Sequence, residues 1–394
     1  MSRSSEQRAQ ARAGRPLRVG LNLIFLGERG GGAGRYARAL PGALLAADPA
    51  TEVHVFVSRD APADLWQEPW AQDVCWVRCP VGLRDQRTHL VFQFAALPLL
   101  AAARRLDVLH SPANLGPAIT PGVASVVSLL DVIWLRAAHE WGGSAHWQRS
   151  LRRIVEHDTR HVDRLFAISH AAAGEMTRLL GLAPERIHVT ALGVTAPSAE
   201  PASEPMVREK LDLGHARVVL CIAQKHPYKN LHRLVRALPD LDGDIVLVLP
   251  GSATPHESEL RALAGELEVA DRVRFPDWLS EEELEGLYAL SSVFVLPSLV
   301  EGFGLPVLEA MLRGVPVACS NTSSLPEVAG DAALLFDPED QQEVTAAIRQ
   351  LLEDRALAER LTVRGRERAA QFTWERTGAA SLAGYRRAMA ARTS

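Results

Sequence analysis

Lysine is nearly missing from this chain. Of 43 basic residues in 394, only Lys210, Lys225 and Lys229 are lysines, and the rest are arginines. Positions where so Arg-rich a chain chooses lysine therefore carry weight, and Lys225 and Lys229 stand four residues apart. Cysteine is scarce too. Cys75, Cys79, Cys221 and Cys319 form neither a Cys-x-x-Cys pair nor a zinc quartet. Cys221 and Cys319 lie in apolar runs, so reduced core thiols in a cytoplasmic setting are the expectation. No apolar run of 18 residues is free of charge, which argues against a membrane-spanning helix. The N-terminus carries Arg3, Arg8, Arg12, Arg15 and Arg18 without an apolar core segment, so it is no secretory signal. Residues 1–17 are expected to be a disordered basic tail, with a weak contact to an anionic membrane as the second reading. A net charge of −4 argues against general nucleic-acid binding. Residues 1–200 sum to +4 and residues 201–394 to −8, an asymmetry that suits an N-terminal half facing an anionic acceptor or simply a solvated surface.

What is present is a globular composition, 47% apolar and 23% charged, in a chain too long for one ordinary core. Short apolar runs read as strands at Arg18–Leu23, Glu52–Val57, Val74–Val77, Val108–Leu109, Val126–Leu129 and Leu165–Ile168. Helical stretches separate several of them, which implies a parallel, doubly wound α/β sheet. Three prolines among small polar residues at 195–205 mark a linker. The pattern then restarts at Val218–Ala223, Ile245–Leu249, Val273–Phe275, Phe294–Leu296, Val315–Ala318 and Ala333–Phe336. Two such domains are expected, at 18–196 and 206–373, after which residues 374–391 read as a helix.

The most informative stretch runs from Pro297 to Met311. An apolar strand precedes Glu301-Gly302-Phe303-Gly304-Leu305-Pro306, and Pro306 suits a helix start. Strand, glycine loop and helix N-terminus together make an anion site. Glu309 is the only charge between Leu305 and Leu312, so its carboxylate needs a hydroxyl or a cation. The plainer reading is an acid favoured by the helix dipole, worth under about 1 kcal/mol. A second glycine loop, Gly30-Gly31-Gly32-Ala33-Gly34-Arg35-Tyr36, follows the first strand, and its amides suit a phosphate unless it is a plain loop. Gln224-Lys225-His226-Pro227-Tyr228-Lys229 follows another strand, where lysine is a compact charge for a diphosphate. Ser280 with the acids after it reads as a helix N-cap.

Glu301 and Glu309 resemble the Glu-x₇-Glu signature of glycosyltransferase family 4, retaining enzymes with nucleotide-sugar donors, and the resemblance runs from about residue 18 to 376. It implies the GT-B architecture: two Rossmann-like domains flanking a cleft, an N-terminal acceptor-side domain, a C-terminal donor domain, and a last helix crossing back to the first. It further implies that Glu301 lies beside the donor sugar, that Glu309 holds the ribose, and that Gly302, Phe303, Gly304 and Leu305 contact the donor. Gly31 and Gly32 then approach the diphosphate, and Leu279 reads the nucleobase through its backbone. The family places an Arg and then a Lys in the lysine loop. Lys229 matches the Lys, while Gln224 occupies the Arg position with Lys225 one step along. The sharpest departure is Leu130, where the family has a His near the donor sugar. His110, at the end of the preceding strand, is the candidate replacement, with a satisfied strand-end His as the alternative.

The leading expectation is thus a retaining, metal-independent glycosyltransferase of hexosyl type. Its acceptor would be a saccharide, a lipid-linked saccharide or a small-molecule glycoside. No cofactor is implied, the nucleotide sugar being a co-substrate, and no Asp-x-Asp stands in a suitable loop, since Asp240-Leu241-Asp242 precedes a strand. A phosphorylase or epimerase on the same architecture, and a non-catalytic nucleotide-sugar-binding partner, remain as alternatives.

Overall fold

In the computed structural model, which describes residues 15–27, 31–83, 85–136, 145–197 and 199–392, the apolar runs become two parallel sheets in two units. The first unit is built from residues 15–136, 145–193 and 373–392, the second from 194–197 and 199–372.

The first unit's sheet has seven strands: β1 (Arg18–Leu23), β2 (Glu52–Val57), β3 (Cys75–Arg78), β4 (Val108–Ser111), β5 (Ala124–Ser128), β6 (Arg164–Ala167) and β7 (Ile187–Val189). Their order is β3-β2-β1-β4-β5-β6-β7, so the winding reverses between β1 and β4. The central strands are almost wholly buried, as near-continuous apolar runs require in a sheet covered on both faces. Strand β7 was not expected from sequence: three half-buried residues give too short an alternation to read.

The helix Trp374–Ala391 completes this unit by packing along the helix Gly31–Ala47. Thr373 caps it, accepting from the Arg376 amide at 3.2 Å. Gly378 permits the close approach, because a Cβ there would collide with the Ala43 carbonyl. Of the expected basic tail, residues 1–14 lie outside the described residues. Arg15 is held, pairing with Asp107 at 2.5 Å, so the disorder expected through residue 17 does not extend to it.

The second unit's sheet has six strands: β8 (Arg217–Leu220), β9 (Ile245–Val248), β10 (Val273–Arg274), β11 (Ser291–Leu296), β12 (Val317–Ser320) and β13 (Leu334–Phe336). The order β10-β9-β8-β11-β12-β13 reverses between β8 and β11. The expected linker ends early, because a helix spans Glu204–Lys210 with Pro205 in its first turn. A proline read as a breaker is here a helix starter. Among the described residues no helix is long and apolar enough to cross a membrane.

Candidate active site

Where the winding of a parallel sheet reverses, the loops leaving adjacent strands diverge and open a crevice at their carboxyl ends. In the second unit those loops follow β8 and β11, and they carry Lys229 and Glu301. Lys229 Nζ donates to Glu301 Oε1 at 2.7 Å, and Ser298 Oγ donates to the same oxygen at 2.7 Å. The two side chains are 14% and 10% exposed, which leaves them reachable. Burial acts to lower the ammonium pKa, but the attraction of Glu301 outweighs it, and the net shift is upward. Lys229 therefore stays charged.

The two loops are tied together. Asn230 sits at φ +60° and its amide nitrogen reaches the carbonyls of Pro297 at 3.0 Å and Pro338 at 2.8 Å. The Leu299 amide donates to the Tyr228 carbonyl at 2.9 Å. Two serines after β12 brace the turn that follows Glu301. Ser323 Oγ donates to the Glu301 carbonyl at 2.7 Å, and Ser324 Oγ donates to the carbonyls of Glu301 at 3.0 Å and Phe303 at 2.8 Å. Sequence reading did not single out Asn230, Ser298, Ser323 or Ser324. The partners of Asn230, Ser323 and Ser324 lie far along the chain, so no local signal marks them, while Ser298 stands three residues before Glu301.

Gly302 and Gly304 belong to this turn. Gly304 caps the helix Leu305–Leu312 at φ +109°, a conformation that L side chains rarely adopt. The side chains of Phe303 and Leu305 are buried, and the Phe303 ring packs edge-on against Phe372 at 5.8 Å. As donor contacts these two residues can offer only backbone. Glu309, half-buried on the same helix, has Oε2 3.4 Å from the Tyr288 hydroxyl. One turn on, Arg313 lies 4.7 Å from the Tyr288 ring and donates to the Glu309 carbonyl at 3.1 Å.

Two expected residues are placed differently. Lys225 is fully buried, donating to the Gly251 carbonyl and pairing with Glu257 at 3.2 Å. Its charge braces the loops after β8 and β9 and is met by Glu257, whereas the sequence suggested a second phosphate-facing cation. His110 is also fully buried, with Nδ1 2.7 Å from the Tyr385 hydroxyl and Nε2 2.8 Å from Ser128 Oγ. Tyr36 OH joins Ser128 at 3.0 Å. Burial pushes the His110 pKa down to about 3, so the ring is neutral. It is a core histidine that links β4 and β5 to the closing helix, which is the satisfied strand-end His that the sequence left as the alternative to a catalytic role. At that position Leu130 is a buried apolar side chain.

Gly31 and Gly32 open the helix after β1, beside the reversal in the first sheet, while Gly30 lies outside the described residues. Gly31 takes φ +52°, but Gly32 has no such backbone, and no described atom lies within 4 Å of where its Cβ would be. Nothing in the described protein thus requires glycine at Gly32. Leu279 is half-buried after β10, next to the capping box formed by Ser280 and Glu283. Among the described residues, one group could in principle hold a metal: Glu52, His54 and Cys75. Arg18 donates to both oxygens of Glu52, at 2.8 and 2.9 Å, and its charge opposes a cation there.

Residues 204–368 match the family described as Glycosyl transferases group 1, and residues 30–196 match Glycosyltransferase Family 4. The chain is 31% identical to the MMP alpha-(1->4)-mannosyltransferase of Mycolicibacterium hassiacum over 317 residues, 76% of this chain and 75% of that protein. The chain belongs to glycosyltransferase family 4. This glycosyltransferase is also 35% identical to the O-antigen chain mannosyltransferase B of Escherichia coli over 228 residues, 56% of the chain and 60% of that protein's length. It is 34% identical over 202 residues to a GDP-mannose-dependent alpha-(1-6)-phosphatidylinositol monomannoside mannosyltransferase of Mycobacterium tuberculosis, covering 48% of the chain and 52% of the relative. Its fold is that of the sucrose-phosphate synthase structure from Thermosynechococcus elongatus, with a TM-score of 0.73 at 22% identity over 95% of this chain and 100% of that one. The two Rossmann-like sheets are those of the GT-B fold.

Proposed function

We propose that this glycosyltransferase moves a mannosyl group from GDP-mannose to a saccharide hydroxyl, with retention at the anomeric carbon and without a metal ion. The observation that carries the reading is the Lys229–Glu301 pair at the β8/β11 reversal. A diphosphate bound at the head of the helix Leu305–Leu312 meets a fixed ammonium and the positive end of the helix dipole. Those charges supply the stabilisation that a divalent ion would otherwise give to the leaving group. The Asp240-Leu241-Asp242 sequence lies at the opposite end of the strands, where Asp242 pairs with Arg217 at 2.9 Å at the start of β8. In the reaction the bond from C1 to the phosphate oxygen breaks, the acceptor oxygen bonds to C1 on the same face, and its proton passes to the departing GDP. Glu301 orients the sugar hydroxyls, and Glu309 receives those of the ribose. Mannose and guanine are supported by the relatives' names, and retention by the Glu-x₇-Glu pattern.

The purified chain, given GDP-mannose and a mannoside acceptor, should release GDP and form an α-linked product by NMR, equally well in EDTA. A β-linked product would overturn retention, and loss of turnover in EDTA with recovery in Mn²⁺ would overturn metal independence. Glu309→Ala should weaken GDP binding about tenfold or more, since it removes charge-assisted hydrogen bonds to the ribose. Calorimetry checks this: parental GDP affinity in the variant would sink the ribose role.

A further inference from the structure

Lys229 has a second neighbour besides Glu301. Its Nζ lies over the ring of Tyr228, 5.1 Å from the centroid. The electron-rich face of a phenol ring attracts an ammonium, and more strongly where water is partly excluded. The Lys229 side chain, 14% exposed, is in such a place.

The loop fixes that ring. Pro227, with its φ preset, opens a single 3₁₀ turn over Pro227–Lys229, and the Lys229 amide donates to the His226 carbonyl at 2.9 Å. The His226 ring stacks on Tyr228, with centroids 5.7 Å apart and planes 10° from parallel. The Tyr228 carbonyl accepts from the Leu299 amide at 2.9 Å, which ties it to the loop that carries Glu301. Lys229 is the accessible lysine of its loop, since Lys225 is buried against Glu257, so the place where its ammonium rests matters.

Glu301 and the Tyr228 ring thus hold one ammonium together, and donor binding affects them differently. In the proposed reaction Glu301 accepts from the sugar hydroxyls, which weakens its hold on Lys229. The ring is neutral and adjacent in the chain, and its hold does not change.

We propose that Tyr228 is a positioning residue, whose ring face keeps the Lys229 ammonium on the leaving diphosphate while Glu301 is engaged by the sugar. This rests on the leaving-group reading of Lys229, and the experiment separates the two. Steady-state kinetics of the full chain with GDP-mannose and a mannoside acceptor are compared across replacements at position 228. Tyr228→Phe keeps the ring face and should stay within about twofold of the parent. Tyr228→Leu should lower kcat about tenfold and change KM for GDP-mannose much less, because the charge being met grows in the transition state. Pentafluorophenylalanine at the same position keeps the ring's shape but reverses its quadrupole, so it should match Tyr228→Leu. A ring needed only for packing would leave the fluorinated protein parental. In Lys229→Ala neither replacement should cost anything further. A parental kcat for the fluorinated ring, or the same loss with and without Lys229, overturns the proposal. Near-parental turnover of Lys229→Ala by itself overturns the phosphate reading instead, and this proposal falls with it. If Tyr228→Leu does not fold, the fluorinated ring and its cycle with Lys229→Ala decide the matter.

Discussion

Lys229→Ala should lower turnover by about a hundredfold or more, with a much smaller change in donor affinity. The leaving diphosphate gains negative charge as the glycosidic bond breaks, and the ammonium is fixed where that charge grows. Removing one fixed donor of this kind costs about 3–4 kcal/mol in the transition state. The bound donor already carries most of its charge, so KM should move less than kcat. Glu301 is its counter-charge, at 2.7 Å. Deleting Lys229 therefore also leaves a largely buried carboxylate with Ser298 as its remaining side-chain donor. A modest fall in the unfolding midpoint is expected, and kinetics well below it separate the two effects. Lys229→Arg keeps the charge but not the compact head, and should recover only part of the rate. Near-parental turnover of Lys229→Ala would make the loop structural and remove the phosphate assignment.

His110→Ala should cost about 3–5 kcal/mol of stability, because it opens a ring-sized void and unpairs buried hydroxyls at Tyr385 and Ser128. Turnover of the folded fraction should be parental, since the ring is sealed in the core. The pH dependence gives a second readout. The folded ring titrates at about 3 and an unfolded histidine near the ordinary 6.5, so the unfolded state binds the proton first as pH falls. The histidine's support is complete above about 6.5 and lost on acidification. Between pH 7 and pH 5 the parent should lose about 2 kcal/mol that the variant keeps. Denaturant melts at both pH values measure it, and equal slopes for the two proteins would place the titration elsewhere.

The α/β class and most of the strands were legible because buried parallel strands are short, continuous apolar runs, and twelve of the thirteen stand where such runs are found. Boundaries slipped where local chemistry overrode the run. The strand expected from Val315 begins at Val317, since Gly314 at φ +76° and Pro316 are still completing the turn. At the candidate site, Lys229 was legible as one of only three lysines and Glu301 through its resemblance to the Glu-x₇-Glu signature, and the structure joins them. The fates of Lys225 and His110 were not legible. Each is decided by a partner distant in sequence, Glu257 and Gly251 for the lysine and Tyr385 for the histidine. Neither the spacing nor the residue type of a buried ion pair announces which charge will neutralise which.

The hydrogen bond from His110 to Tyr385 spans 275 residues. During synthesis at about 5–20 residues per second, the histidine waits roughly 15–55 s for its partner to be made. Once β7 is made the first sheet has all its strands, while the face of Gly31–Ala47 that will receive the last helix is still uncovered. The described residues of the second unit, by contrast, all precede Thr373, so it is complete before that helix is made. Although translated second, it has all its parts first. A released chain ending just short of Trp374 should therefore protect the second unit from protease while the first remains cleavable.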